Sequence, residues 1–245
     1  STFTQVHSAK CEPVVMDTRF NSSVTDIFRN EYLSSRSPYT TLQIPKQGIG
    51  EWCHPLHTVD INDAGLRSSV QNGILNTELG IPFRTPAEGH NVAFTSLWDN
   101  YPDSLEIPLK GKASRAYLLM AGSTNHMECH IDNGVIRIYY KDGTRDVMFL
   151  RNPDNWPPIE HIFFEDGLAF NRHTPALYRL RLKTGEISNN FGEELGFPGA
   201  SRELDGGAAV LLEMPLNPGK KLSHLVLETL SNDVVIGLMS ITLQR

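Results

Sequence analysis

No apolar stretch in this chain approaches the roughly 20 residues that span a bilayer as a helix. The densest, around Ala116–Ala121 and Val234–Ile241, are interrupted and only strand-length, which excludes a membrane-spanning helix. Dense basic runs are also lacking. The 22 Lys and Arg residues are outnumbered by 28 Asp and Glu, giving a formal net charge of −6 and a pI near 5.8. Phosphate backbones are bound through clustered positive charge, so nucleic acid is excluded as the main partner. Cysteine is scarce: Cys11, Cys53 and Cys129 are widely separated and odd in number, so they define no disulfide framework. At most one intrachain bridge can form, and buried thiols are expected. Ser1–Lys10 lacks the basic start and apolar centre of a signal peptide, but Ser1 is not an initiator Met, so no compartment follows from it.

Helical periodicity is scarce as well. Its best short candidate is Val24–Leu33, led by Ser22 and Ser23 as N-caps. Gly-x-Gly-x-x-Gly and P-loop fingerprints are absent, as are nucleophile-elbow and zincin motifs, and no repeat of 20–50 residues is visible.

What remains is the rhythm of a β protein. Residues 1–90 are rich in Ser, Thr, Asn, Pro and Gly, with brief alternation at Tyr39–Ile44. Phe20, Phe28, Tyr32, Trp52, Leu56 and Phe83 supply anchors that a disordered linker would lack, so this part reads as a loop-rich segment packed on the rest. From Asn91 onward, β-prone runs of four to ten residues alternate with turn chemistry. The predicted strands are Val92–Trp98, Ser104–Pro108, Ser114–Ala121, Gly134–Tyr140, Arg145–Leu150, Ala176–Leu182, Ala208–Pro215, Leu222–Leu230 and Val234–Leu243. Lys141-Asp142-Gly143-Thr144 predicts a hairpin, because Asp-Gly supplies the positive φ of a tight turn. In Ala176–Leu182, Ala176, Tyr178, Leu180 and Leu182 fall on one face and Leu177, Arg179 and Arg181 on the other, which predicts a half-exposed strand. The expected fold is mostly β: an antiparallel β-sandwich over 91–245, of the jelly-roll or galactose-binding-domain kind, carrying the 1–90 segment. Either Ala116, Leu118 and Met120 or the opposite set, Tyr117 and Leu119, should face its core.

The successions Phe94–Asp103, Tyr117–Asn125, Tyr140–Thr144 and Asn152–Trp156, continuing through Asp205–Ala209 and Asn232–Met239, resemble a segment of large bacterial proteins carrying the uncharacterised DUF4450 domain. The resemblance covers roughly residues 40–245. It implies a polysaccharide-degradation context, a periplasmic or extracellular setting, and a layout similar to glycosidases that join β-sandwiches to a helical toroid. No sequence for such a toroid is present. Catalytic carboxylates of those enzymes usually lie on the toroid, so the resemblance implies an accessory role for this chain beside an adjacent catalytic domain.

The favoured binding candidate is the strand end Trp98-Asp99-Asn100-Tyr101-Pro102-Asp103, where aromatic rings stack on sugars and Asp or Asn holds hydroxyls. His126, in a polar run after a buried strand, and Trp156, in a loop stiffened by Pro153, Pro157 and Pro158, are expected to join it. Trp98, Asp99, Asn100, Tyr101, His126 and Trp156 would then line one concave glycan site. The competing readings are a tight Pro turn with Trp98 in the core and, for the Asn152–Glu160 loop that carries Trp156, a lid over a sandwich edge. Glu51-Trp52-Cys53-His54-Pro55-Leu56-His57 holds zinc-type donors without a recognised spacing, and an oxygen-only Ca²⁺ site has no EF-hand pattern, so no metal or other cofactor is assigned. The alternatives to a glycan-binding module are a glycoside hydrolase drawing its acid and base from Glu51, Asp99, Glu160 and Asp166, and a structural spacer docking a catalytic domain.

Overall fold

The computed structural model describes residues 10–30, 32, 59–98, 101–124, 129–161, 173–191, 203–232 and 234–245. The strands are β1 (Cys11–Pro13), β2 (Ile74–Asn76), β3 (Pro82–Arg84), β4 (Ala93–Thr95), β5 (Ser104–Pro108), β6 (Arg115–Ser123), β7 (Gly134–Tyr140), β8 (Arg145–Leu150), β9 (Tyr178–Arg181), β10 (Ile187–Ser188), β11 (Ala208–Pro215), β12 (Leu222–Thr229) and β13 (Val235–Gln244). Among the described residues there are also two short α-helices, α1 (Val24–Arg29) and α2 (Ala64–Ser68), and a single 3-10 turn at Asp17–Arg19. Strand accounts for 42% and helix for 8%, so the class is mostly β, as the turn rhythm predicts. Among the described residues no helix is long and apolar enough to cross a membrane.

Two antiparallel sheets face each other. One runs β1-β13-β6-β11-β9-β10, with β4 also on β13; the other runs β5-β12-β7-β8. Between them lies a core that includes Ala116, Leu118 and Met120 of β6, Ile136 and Ile138 of β7, Val210 and Leu212 of β11, Leu225 and Leu227 of β12, and Trp156. A second core lies on the other face of the larger sheet. There Tyr117, Leu119 and Ala121 of β6 meet Val24, Ile27, Phe28, Ile61, Leu66, Leu75 and Phe83 from the N-terminal third. Both candidate faces of β6 are therefore buried, because the N-terminal layer covers the outer one. This explains why β6 and β13 read as continuous apolar runs rather than alternating ones. The N-terminal segment also adds a strand, since β1 pairs with β13 in the register Cys11↔Gln244 to Pro13↔Thr242.

Local signals were obeyed where chemistry is local. Ser23 caps α1, its hydroxyl accepting from the Asp26 N–H, and the helix stops at Arg29, short of Leu33. The Asp-Gly hairpin forms with Gly143 at φ 86°, while Asp142 Oδ1 accepts from the Thr144 N–H at 2.9 Å. Hydrogen bonds from Thr144 and Lys220 hold the exposed Asp142 carboxylate down at about 2. The half-exposed reading of β9 fails at Arg179, which is 7% exposed. Its guanidinium donates to the carbonyls of Pro158 (2.9 Å), Ile159 (3.2 Å) and Ala208 (3.1 Å), and to that of His161. Arginine offers five donors in a planar fork, so this one buried side chain can serve several carbonyls of the 158–161 loop and of β11 at once. Tyr39–Ile44 lies outside the described residues.

Candidate functional site

A cleft among the described residues opens at one side of the sandwich, where the inter-sheet core reaches the surface beside the edge strand β8. Its volume is about 500 Å³, within the range of small-ligand sites. Met148 of β8 and Leu211, Leu212 and Glu213 of β11 contribute from the two sheets, and Leu177 and Tyr178 from the entry to β9. Asp154, Thr174 and Asn189 bring polar groups. Apolar residues from both sheets thus share the lining with an aromatic side chain, an exposed carboxamide at Asn189 and two carboxylates. Glu213 is held by an ion pair with Arg115.

One wall is the turn after β8, and the sequence explains its rigidity. Asn155 cross-braces it: its Oδ1 accepts from the Arg151 N–H at 2.7 Å, and its Nδ2 donates to the Phe149 carbonyl at 2.9 Å. Asp154 then projects between two histidines. Its Oδ1 accepts from the His173 backbone N–H at 2.7 Å, and its backbone carbonyl accepts from Thr174 Oγ1 at 2.8 Å. Oδ2 lies 3.9 Å from Nδ1 of His130 and 3.8 Å from Nδ1 of His173. The two imidazoles stack, with centroids 4.7 Å apart and planes inclined by 25°. His130 is oriented by a left-handed backbone (φ 58°) and by its N–H, which donates to Asn152 O at 2.7 Å. Imidazole nitrogen and carboxylate oxygen are zinc-type donors, and among the described residues these three side chains form a group able to hold a metal.

The sequence-predicted aromatic site is corrected by burial. Trp98 is 6% exposed in the core beneath the N-terminal layer, and its Nε1 donates to Asn232 O at 2.8 Å. Trp156 is fully buried in the other core, over Gly122 of β6. Neither indole offers a face to a ligand, and the two do not meet. Tyr101 leans against the first core, edge-on to Phe94 at 4.6 Å. Asp99, Asn100 and His126 lie outside the described residues, as do the Glu51–His57 donors and Asp166. Within the proline-stiffened loop Asp154 lines the cleft, while Trp156 anchors the loop from below.

Glu160 does not suit the role of a glycosidase acid that touches sugar. It is fully buried, and desolvation raises its carboxyl to about 7, against the pull of the Arg179 charge and with a further upward push from Glu203. Glu160 and Arg179 belong to the packing of β9 against the loop before it.

No protein-family model matches the chain, and no curated protein matches it.

Proposed function

We propose that the chain is a non-catalytic glycan-binding module, accessory to polysaccharide degradation, and that it takes a sugar unit in the side cleft. The supporting observation is the composition of that cleft. Tyr178, Met148, Leu177 and Leu212 supply apolar contact for sugar C–H groups, while Asp154, Asn189 and Glu213 supply acceptors and donors for hydroxyls. The resemblance of Phe94–Asp103, Asn152–Trp156 and Asn232–Met239 to DUF4450-bearing proteins gives the polysaccharide context. Affinity is micromolar to millimolar, because an open cleft fully buries few contacts.

A glycan array probed with the intact protein and with Tyr178→Ala and Asn189→Ala tests this reading. Binding to a defined glycan class that both substitutions weaken supports it. Signals indifferent to both argue against the cleft. A second reading, a glycoside hydrolase, draws on the two carboxylates Asp154 and Glu213 in one cleft. Sustained release of reducing sugar, abolished by Asp154→Asn or Glu213→Gln, would replace the binding proposal with the hydrolase.

A further inference from the structure

We propose that His130, Asp154 and His173 form a site for a divalent transition metal of the zinc type at the rim of the cleft. The site rests on geometry and donor chemistry and does not depend on the sugar reading. Three chain segments converge on it: the loop before β7, the turn after β8, and the approach to β9. One donor atom from each residue lies within 4.8 Å of the other two. Two imidazole nitrogens and one carboxylate oxygen suit zinc and its neighbours in the first transition row. Calcium and magnesium, which prefer oxygen-only shells, suit the set poorly.

The observed spacing is wider than that around a bound ion. Donors bound at about 2.0–2.1 Å around a tetrahedral ion stand roughly 3.3 Å apart. The carboxylate-to-imidazole distances are 3.9 and 3.8 Å and all three donors lie within 4.8 Å of one another, so closing on an ion requires contractions of about 0.5–1.5 Å per pair and a rotation of the stacked rings toward it. The side chains best able to supply these movements are those of His130 and His173, which are 36% and 66% exposed. At their present distances the imidazoles make no hydrogen bond to the carboxylate, so two basic rings stack beside one oxygen without a direct bond to it.

The surrounding contacts orient the donors as outer-shell partners of a metal site do. Asp154 Oδ1 is occupied by the His173 N–H, which directs Oδ2 toward the rings. His130 is fixed through Asn152 O, in the same turn as Asp154. Three protein donors leave a coordination position for water or a ligand group, and Asp154 itself lines the cleft.

The test uses the full chain stripped with a chelator and then titrated with Zn²⁺ against a chromophoric competitor, with Co²⁺ as a spectroscopic substitute. One equivalent should bind at micromolar affinity or tighter. Co²⁺ should show the intense visible absorption of a four- or five-coordinate site. His130→Ala and His173→Ala should each weaken binding at least tenfold, and the double substitution should remove the Co²⁺ band. Far-ultraviolet circular dichroism of the metal-free variants checks folding, which exposed histidines are expected to leave intact. Equal zinc affinity in the wild type and the folded double variant would overturn the proposal, as would a Co²⁺ spectrum that is purely octahedral in both.

Discussion

Asp154 meets His173 twice: one carboxylate oxygen accepts the His173 backbone N–H at 2.7 Å, and the other lies 3.8 Å from Nδ1 of its ring. This pairing ties the approach to β9 onto the turn after β8 and gives the cleft a fixed rim. Asp154→Ala should raise the exchange rate of the His173 amide about tenfold while costing only about 1 kcal/mol of global stability, because the lost bond is near the surface. Hydrogen exchange with a parallel urea melt checks both. An unchanged His173 amide would contradict the tether.

Gly122 and Trp156 should be inseparable. A Cβ on Gly122 would fall 1.9 Å from Cζ2 of Trp156 and 2.4 Å from the Val235 carbonyl oxygen, so neither side-chain rotation nor a small backbone shift accommodates it. Gly122→Ala is expected to destabilise the fold by about 3 kcal/mol or more. Trp156→Ala is expected to cost about 3–5 kcal/mol through the cavity it leaves. Chemical denaturation measures both, and a loss under about 1 kcal/mol in either would contradict the packing described.

Glu160 makes stability depend on pH with a definite sign. Its folded-state carboxyl is raised to about 7 from an ordinary 4.5, so between these values the folded chain holds a proton that the unfolded chain has released. The stabilisation is fully present below about 4.5 and is lost as pH rises through 7, by about 3 kcal/mol in all. Glu160→Gln, which keeps the shape and removes the titration, should flatten this slope. The difference between wild-type and variant melts from pH 4.5 to 8 isolates it, and parallel curves would contradict the burial of an ionisable group.

Arg179 should tolerate little. Its guanidinium serves four carbonyls from β11 and the loop at 158–161. Arg179→Ala leaves these acceptors, and the Glu160 carboxyl beside them, without the buried cation, which is expected to cost about 3–5 kcal/mol. Arg179→Lys should recover only part, because a point ammonium does not reproduce the fork. Urea unfolding orders the three proteins, and equal stability of Lys and Arg would refute a role for the fork.

The sandwich was legible wherever strands are bounded by turn chemistry. β5, β7, β8 and β11 begin and end at the predicted residues, and the Asp-Gly hairpin joins β7 to β8. β1, by contrast, is three residues long and takes its partner from the far end of the chain, so no local pattern announces it. Arg179 misled because alternation records which face a side chain leaves from and says nothing of loop carbonyls waiting there. Trp98 and Trp156 misled for a related reason. An aromatic in a stiff loop can turn outward or inward, and here both turn inward. His130 and His173 gave no spacing signal at all, since a turn elsewhere in the chain brings them together.

The most direct test of the binding proposal is a titration of ¹⁵N-labelled protein with galacto-, manno-, xylo- and N-acetylglucosamine oligosaccharides, followed by amide chemical shifts. The account predicts saturable shifts at Thr174, Leu177, Tyr178, Asn189 and Glu213 for at least one of these classes, with a Kd between micromolar and millimolar, and their loss in Tyr178→Ala. Shifts confined to residues outside the cleft, or none with any of the four classes at millimolar concentration, would contradict it.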